Sequence, residues 1–215
     1  MRVTHAALAI AGFLWLAIPA GAQTAPSPIS RLDAGGSIGW FNAGKSGLND
    51  FREDAQWYNR SLYAGASLGW YWTDNLKTEI EGGVSTKAEL QGYQPVFING
   101  RTTTVYSTFE FATERVAIGQ QYQFFRNSWV HPFVGAGIDF TWERIEHYDD
   151  VFTQTTTNPR TTFPERTDFL VRPYATFGLK AYLTPHGFFR TDMRFVADGH
   201  GIDEVTLRFG LGIDF

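Results

Sequence analysis

Residues 204–215 read Glu-Val-Thr-Leu-Arg-Phe-Gly-Leu-Gly-Ile-Asp-Phe, and this final stretch sets a pattern that the rest of the chain repeats. Large apolar residues recur at every second position, which is the period of a β-strand with one apolar and one polar face. A strand of a soluble β-sandwich would show the same alternation, so the stretch alone predicts a β-strand but does not decide the kind of all-β fold. The apolar positions are Val205, Leu207, Phe209, Leu211, Ile213 and Phe215.

The alternation recurs in seven earlier segments, and the connections between segments are alternately long and short. Transmembrane β-barrels combine an even number of strands with short turns on one side and longer loops on the other. A soluble sandwich has no physical reason to sort its connections in this way. We therefore predict an all-β fold, an eight-stranded antiparallel up-and-down transmembrane β-barrel. The predicted strands are 31–41, 60–72, 76–87, one within 102–125, 129–146, 165–183, 188–197 and 204–215. The predicted long loops are 43–59, 88–101 and 147–164.

The segment 102–125 breaks the pattern. Phe109 and Phe111 place the apolar face at odd positions, whereas Val116 and Ile118 place it at even positions. A change of phase inside one strand predicts a β-bulge, here near residues 112–114. Two shorter strands are the alternative, and they would change the strand count.

The beginning of the chain has the three parts of a secretory signal peptide. Arg2 supplies the positive charge, residues 6–18 are apolar, and residues 20–22 are the small side chains of a cleavage site. The apolar run is too short for a transmembrane helix, which needs about 20 apolar residues. We predict a signal peptide over 1–22, a short disordered lead-in over 23–30 and the barrel over 31–215.

Composition excludes several classes of function. The chain has no cysteine, so it has no disulfide framework and no thiolate nucleophile or metal ligand. Its formal net charge of −4 argues against nucleic acid, which binds basic surfaces. Neither a metal site nor a nucleotide-binding loop is recognisable, and we predict no cofactor.

The polar face of the predicted strands is rich in charge. In a membrane these residues must face the lumen, because an outward arginine or lysine near the midplane costs about 2–4 kcal/mol. The lumen of an eight-stranded barrel is only wide enough for side chains to fill it. Mixed charges therefore predict structural ion pairs in preference to an ion pathway, with Asp192 and Arg194 among the partners of Arg208 and Glu204. The predicted lumen network comprises Lys77, Glu79, Glu81, Asp139, Glu143, Arg172, Lys180, Arg190, Asp192, Arg194, Glu204 and Arg208, and Asp168 shares their face.

Aromatic residues concentrate beside the predicted short turns. This position is typical of the aromatic girdle at one membrane interface. Trp40 and Trp142, at the opposite strand ends, are candidates for the second girdle. The residues predicted for the first girdle are Trp70, Trp72, Trp129, Phe189 and Phe215.

The predicted signal peptide, the alternating strands, the segment 132–137 (Pro-Phe-Val-Gly-Ala-Gly) and the terminal Phe215 together resemble the superfamily of small bacterial outer-membrane β-barrels. That superfamily includes the OmpA-type membrane domain and OmpX-like proteins. The resemblance implies an outer-membrane location, contact with membrane lipid, and recognition of the C-terminal strand by the barrel-assembly machinery. It implies no activity, because members of one fold differ in function. We expect a monomer.

Three functions are compatible with this reading. The leading hypothesis is a non-enzymatic barrel with a filled lumen that presents loops for envelope integrity or surface interaction. The alternative is a narrow channel or an OmpW-like carrier of small solutes, for which the phase change near 112–114 is the hint. The third is a lipid A or protein hydrolase, but the acidic motif of omptin proteases and the serine of lipid A deacylases are not recognisable. The residues that suggest it are His147, Asp149 and Asp150, and Asp198, His200 and Asp203.

Overall fold

The computed structural model describes residues 31–43, 56–57, 61–98, 101–124, 129–153, 156–157, 160–199 and 201–215. The predicted signal peptide, the lead-in and most of the predicted loop 43–59 lie outside these residues. No helix in the described part is long and apolar enough to span a bilayer. The strands are β1 (Leu32–Ala43), β2 (Gln56–Trp57), β3 (Ser61–Tyr71), β4 (Leu76–Ser85), β5 (Ala88–Ile98), β6 (Arg101–Gln123), β7 (Val130–Thr153), β8 (Thr156–Thr157), β9 (Thr161–Thr162), β10 (Arg166–Tyr182), β11 (Gly187–Asp198) and β12 (Gly201–Asp214).

Eight of these strands close into an antiparallel barrel in the order β1, β3, β4, β6, β7, β10, β11 and β12. Closure occurs where the last strand pairs with the first, over a register that runs from Asp33 opposite Asp214 to Ala43 opposite Glu204. The predicted eight-stranded barrel is confirmed. Residues 72–75 and 183–186 connect strands at one end, which we call the turn end.

The predicted bulge near 112–114 is wrong, and β6 is one continuous strand. It pairs with β7 without any register shift from Thr104 to Gln123. On its other side Val84 pairs with Glu114 but Ala88 pairs with Phe111, so the extra residue lies at 86–87, between β4 and β5. The apolar positions change from even to odd because Phe111 lies at the end of the barrel. Its ring faces inward but packs against apolar side chains there, so an inward position is apolar as well.

The predicted loop 88–101 is also wrong, because most of it forms β5. Likewise β7 continues to Thr153, well into the predicted loop 147–164. Together β5, residues 101–111 of β6, residues 145–153 of β7 and the short strands β2, β8 and β9 form a sheet extension beyond the barrel. Strands that leave a membrane need no alternation of apolar and polar residues, so the sequence pattern did not reveal them.

The barrel is apolar outside and charged inside, the reverse of a soluble protein. Ile38, Leu68 and Leu211 face outward and are 68%, 63% and 63% exposed. By contrast Arg194 and Arg208 face inward and are 1% and 2% exposed. A continuous belt of apolar side chains surrounds the described strands, which is the surface expected of a barrel in hydrocarbon.

Two glycines are required by close approaches inside the barrel. A Cβ atom at Gly83 would overlap the ring of Tyr63, and one at Gly212 would overlap the ring of Phe188. Because these two inward positions carry no side chain, the rings of Tyr63 and Phe188 can lie directly against the backbone there.

Candidate functional site

The centre of the lumen is built around Glu81 on β4. Its carboxylate accepts hydrogen bonds from Arg194 Nη2 at 2.8 Å, from Arg208 Nη1 and from the hydroxyl of Tyr63. Arg194 comes from β11 and Arg208 from β12, so this carboxylate ties together strands that are not neighbours in the barrel wall. All of these residues are buried. The lumen is therefore crossed by charge-assisted hydrogen bonds.

Asp192 extends the network toward the turn end. Arg208 donates from Nε to Asp192 at 2.7 Å, and Arg190 donates from Nε to the other carboxylate oxygen at 2.8 Å. Arg190 also donates from Nη1 to Glu79 at 2.6 Å. Each guanidinium thus bridges two carboxylates, in the fork geometry that suits arginine.

A second group of ion pairs lies toward the sheet extension. Glu204 accepts from Arg115 Nη1 and lies 3.4 Å from Arg172 Nη2. Arg172 Nη2 is also 3.3 Å from Glu143, and its Nη1 donates to Asp203. Asp139 lies between the two groups, because Arg115 and Arg194 each approach it to 3.5 Å. The whole described lumen forms one connected ionic network.

The two ends of the lumen are closed by different chemistry. At the turn end Lys77 pairs with Asp33 at 2.8 Å and with Glu79 at 2.7 Å. At the extension end an apolar cluster covers the network, and it consists of Phe41, Tyr63, Ala88, Phe111 and Ile145. A cavity beside Arg208 measures about 20 Å³, which is room for one water molecule. Buried charged side chains therefore occupy the part of the lumen that the structure describes.

This charged, side-chain-filled barrel matches solved membrane proteins. The outer membrane protein OprG from Pseudomonas aeruginosa aligns over 86% of this chain and 94% of its own, with 11% identity and a TM-score of 0.51. The chain has the fold of a small outer-membrane β-barrel. The structural resemblance predicted from the sequence is confirmed at the level of the fold.

Two further solved structures align with TM-scores below 0.5. The N-terminal β-barrel domain of Pseudomonas aeruginosa OprF shares 14% identity over 86% of this chain and 98% of its own, with a TM-score of 0.45. Ail, the attachment invasion locus protein of Yersinia pestis, shares 9% identity over 86% of this chain and 99% of its own, with a TM-score of 0.46. No protein-family model and no curated protein matches the sequence of the barrel.

The structure brings the predicted lumen residues together, and each takes part in an ion pair. Arg208 pairs with Asp192 as expected, but Glu204 pairs with Arg115 and Arg172 instead of Arg194. Asp168 lies at the rim, 2.7 Å from Arg166. The prediction missed four network members, which are Asp33, Arg115, Asp203 and Asp214.

The predicted girdle residues Trp70, Trp72, Trp129 and Phe215 are exposed near the turn end, and Phe189 is partly buried. The indole nitrogen of Trp72 donates to Thr78 Oγ1 at 2.7 Å, so its polar edge has a partner on the outward wall. An apolar ring with a satisfied N–H suits a membrane interface. The function of these residues as a girdle stays a prediction.

The structure does not assemble a hydrolase site from His147, Asp149 and Asp150. The imidazole of His147 lies 3.0 Å from Asp149, but Ser107 also donates to Asp149, at 2.6 Å, and not to the imidazole. A nucleophile needs a base within hydrogen-bond reach, and here the Asp149 carboxylate lies between the Ser107 hydroxyl and the His147 imidazole. Asp150 binds Arg160.

The described residues of the second candidate set, which comprises Asp198, His200 and Asp203, do not form a hydrolase site either. Asp203 binds Arg172 in the lumen, Asp198 accepts from the Gly201 amide at 3.0 Å, and His200 lies outside the described residues. Among the residues that the structure describes, no group of three or more His, Asp or Glu side chains could hold a metal ion.

The sheet extension carries its own surface ion pairs. Lys87 lies 2.7 Å from Glu110 and 2.7 Å from Glu146. Hydrogen bonds from the lysine to these carboxylates, that to Glu110 first, raise the pKa of Lys87 above its ordinary value. The ammonium group therefore stays charged at any physiological pH, although the exposed position makes each pair weak.

Proposed function

We propose that this protein is a non-enzymatic integral outer-membrane barrel that presents the sheet extension at the cell surface. The observation that carries the proposal is the filled lumen beneath an apolar cluster, since a barrel without a passage offers its exposed ends as its functional surfaces. The apolar belt and the fold of outer-membrane proteins support the location. Envelope integrity and surface contact are the roles that such a body suits.

The sheet extension supports the second half of the proposal. Its strands extend the wall well beyond the apolar belt, and it presents exposed aromatic side chains at Phe97 and Tyr106, with a further exposed ring, Phe163, directly after β9. Long loops and strand extensions of barrels of this class lie outside the cell, and short turns lie in the periplasm. We therefore place the turn end in the periplasm.

The structure removes the hint that favoured a channel or an OmpW-like carrier. That hint was the phase change near residues 112–114, taken as a sign of a side opening in the wall. Through this region β6 pairs with β7 without interruption. On its other side the ladder lapses only at residues 112–113, between the pairings with β4 and β5, where the Thr113 amide donates to Ser85 Oγ at 2.9 Å.

Planar-bilayer recording tests the closed lumen. Purified, refolded protein is expected to give no steady conductance steps, because buried guanidinium and carboxylate groups fill the cross-section. A general porin inserted in the same bilayers provides the positive control. Reproducible unit conductance from the folded, heat-modifiable species would refute the closed-barrel proposal.

Deleting Phe215 tests the predicted assembly signal. Leu32 donates to the Phe215 carbonyl at 3.1 Å and Phe215 donates back to Leu32 at 2.9 Å, so deletion removes two hydrogen bonds as well as the terminal ring. We expect a loss of most folded protein from the outer-membrane fraction, measured by heat-modifiable gel mobility. Phe215→Leu is the matched control, since it keeps the backbone bonds and loses only the aromatic ring. Wild-type yield from the deletion variant would show that the C-terminal residue is not a signal.

A further inference from the structure

The seam between β1 and β12 closes the barrel with two carboxylates opposite each other. Leu32 and Phe215 exchange both backbone hydrogen bonds, at 3.1 and 2.9 Å, so the next pair along, Asp33 and Asp214, is a non-hydrogen-bonded pair. In antiparallel strands such pairs bring their side chains closest, with Cα atoms about 4.5 Å apart. Like charges directly opposite each other destabilise a strand pair. The register that closes the barrel therefore places two negative charges directly opposite each other.

Lys180 on β10 compensates for this repulsion. Its Nζ lies 3.1 Å from Asp33 Oδ2 and 2.7 Å from Asp214 Oδ1. The ammonium group also sits 3.8 Å from the centre of the Phe188 ring, and the side chain is buried. Because β10 is separated from the seam by β11, this lysine reaches across the lumen to bridge the first and last strands.

The two aspartates depend on Lys180 to different degrees. Asp33 has a second cation, because Lys77 lies 2.8 Å away. For Asp214, the cation partner found in the described part of the chain is Lys180, and the Tyr182 hydroxyl also donates to it. Loss of the Lys180 charge would leave the buried Asp33 with Lys77, which Asp33 shares with Glu79, and would leave the partly buried Asp214 without this ion pair.

Side-chain packing contributes little to the part of the seam next to these aspartates, whereas farther along Trp40 packs against Phe209. Gly35 lies opposite Gly212, and Ser37 lies opposite Gly210. A groove of about 670 Å³ covers the outer side of the seam, and the cavity of about 20 Å³ touches the inner side at Gly35 and Gly210. The wall is little more than one backbone thick here, so its cohesion depends on the hydrogen-bond ladder and on the ionic contacts at its end.

We propose that Lys180, Asp33 and Asp214 form an electrostatic lock on the closing seam, which makes this seam the first place where the barrel opens when the lock is lost. The lock is a property of the wall and is independent of the proposed surface function. It would confine strand separation to β1 and β12 and leave the other pairs of the barrel intact.

Lys180→Met tests the lock, because methionine keeps an unbranched apolar stem and removes the charge. Amide hydrogen exchange of the protein in lipid nanodiscs is expected to accelerate about tenfold or more at Ala34 and Ile213 on the seam. Exchange at Ile118 and Ile138 in the β6–β7 ladder should not change. The temperature at which the folded gel band disappears should fall by about 10 °C. Lys87→Met, which removes an exposed lysine, is the control and should alter neither reading.

The double variant Lys180→Met/Asp214→Asn separates charge from packing. It removes the Asp214 carboxylate along with the Lys180 ammonium group and leaves Asp33 paired with Lys77. We therefore expect most of the lost protection from amide exchange, and most of the lost thermal resistance, to return. Recovery of folded protein by the double variant supports the lock even if Lys180→Met alone does not fold. The lock is overturned if the double variant is no better than the single one, or if exchange in the single variant is unchanged or accelerates equally in the β6–β7 ladder.

Discussion

Replacing Glu81 with leucine is expected to lower the free energy of unfolding by about 3–5 kcal/mol, the loss typical when one partner of a buried ion pair is removed. The carboxylate receives hydrogen bonds from Arg194 and Arg208, and both guanidinium groups are buried in the lumen. Without it two positive charges remain close together in a region that water barely enters. Urea unfolding of the protein in lipid vesicles, followed by tryptophan fluorescence, measures the change.

Glu110→Leu is the matched control for this loss. Glu110 also pairs with a cation, Lys87, at 2.7 Å, but the pair is on the surface of the sheet extension. Exposed pairs contribute about 0–1 kcal/mol, so the control should be close to wild type. Equal losses in the two variants would contradict a dry, ion-paired lumen.

Replacing Ile118 with arginine should destabilise the barrel by about 2–4 kcal/mol, because the side chain points away from the protein into the hydrocarbon. Ile118 is exposed and lies between Ile80 and Ile138 in the apolar belt. At an exposed site of a water-soluble protein, the same change would alter stability by about 0.5 kcal/mol or less. The sign and size of the effect therefore report which solvent surrounds the wall.

Thr102→Arg provides the comparison within the same strand. Thr102 is exposed on β6 but belongs to the sheet extension, which lies beyond the apolar belt. An arginine there should be tolerated, and both variants can be compared by urea unfolding in vesicles of the same lipid. A similar cost at both positions would argue against the proposed membrane boundary.

The barrel itself was predictable because its two environments impose strict alternation. Each change of one position along β3 or β12 moves a side chain between hydrocarbon and lumen, so Leu68 and Arg208 could be assigned to their faces from the sequence. Beyond the apolar belt this constraint ends. Residues 88–98 and 147–153 form strands in which the sequence shows no clear alternation, and turn-forming glycine, proline and asparagine near them favoured loops.

Arg115 was missed for a related reason. It occupies an odd position of β6 with Ala117 and Gly119, which face inward, but Phe109 and Phe111 had made the phase of this strand ambiguous. Its partner Glu204 is 89 residues away and lies across the lumen. Such a contact depends on side-chain length and barrel diameter, and neither is visible in a strand pattern. The lumen-facing residues could thus be listed from the sequence, but their pairing could not.

The contacts across the lumen make barrel assembly cooperative. Glu81 and Arg208 are 127 residues apart, and they meet only when the wall that separates them in the chain has curved into a closed cylinder. A partly assembled sheet would hold the same charges unpaired and facing lipid or detergent, where they are costly. Intermediates with a few strands inserted are therefore disfavoured relative to both the uninserted chain and the finished barrel, so the network that fills the lumen also favours all-or-none insertion.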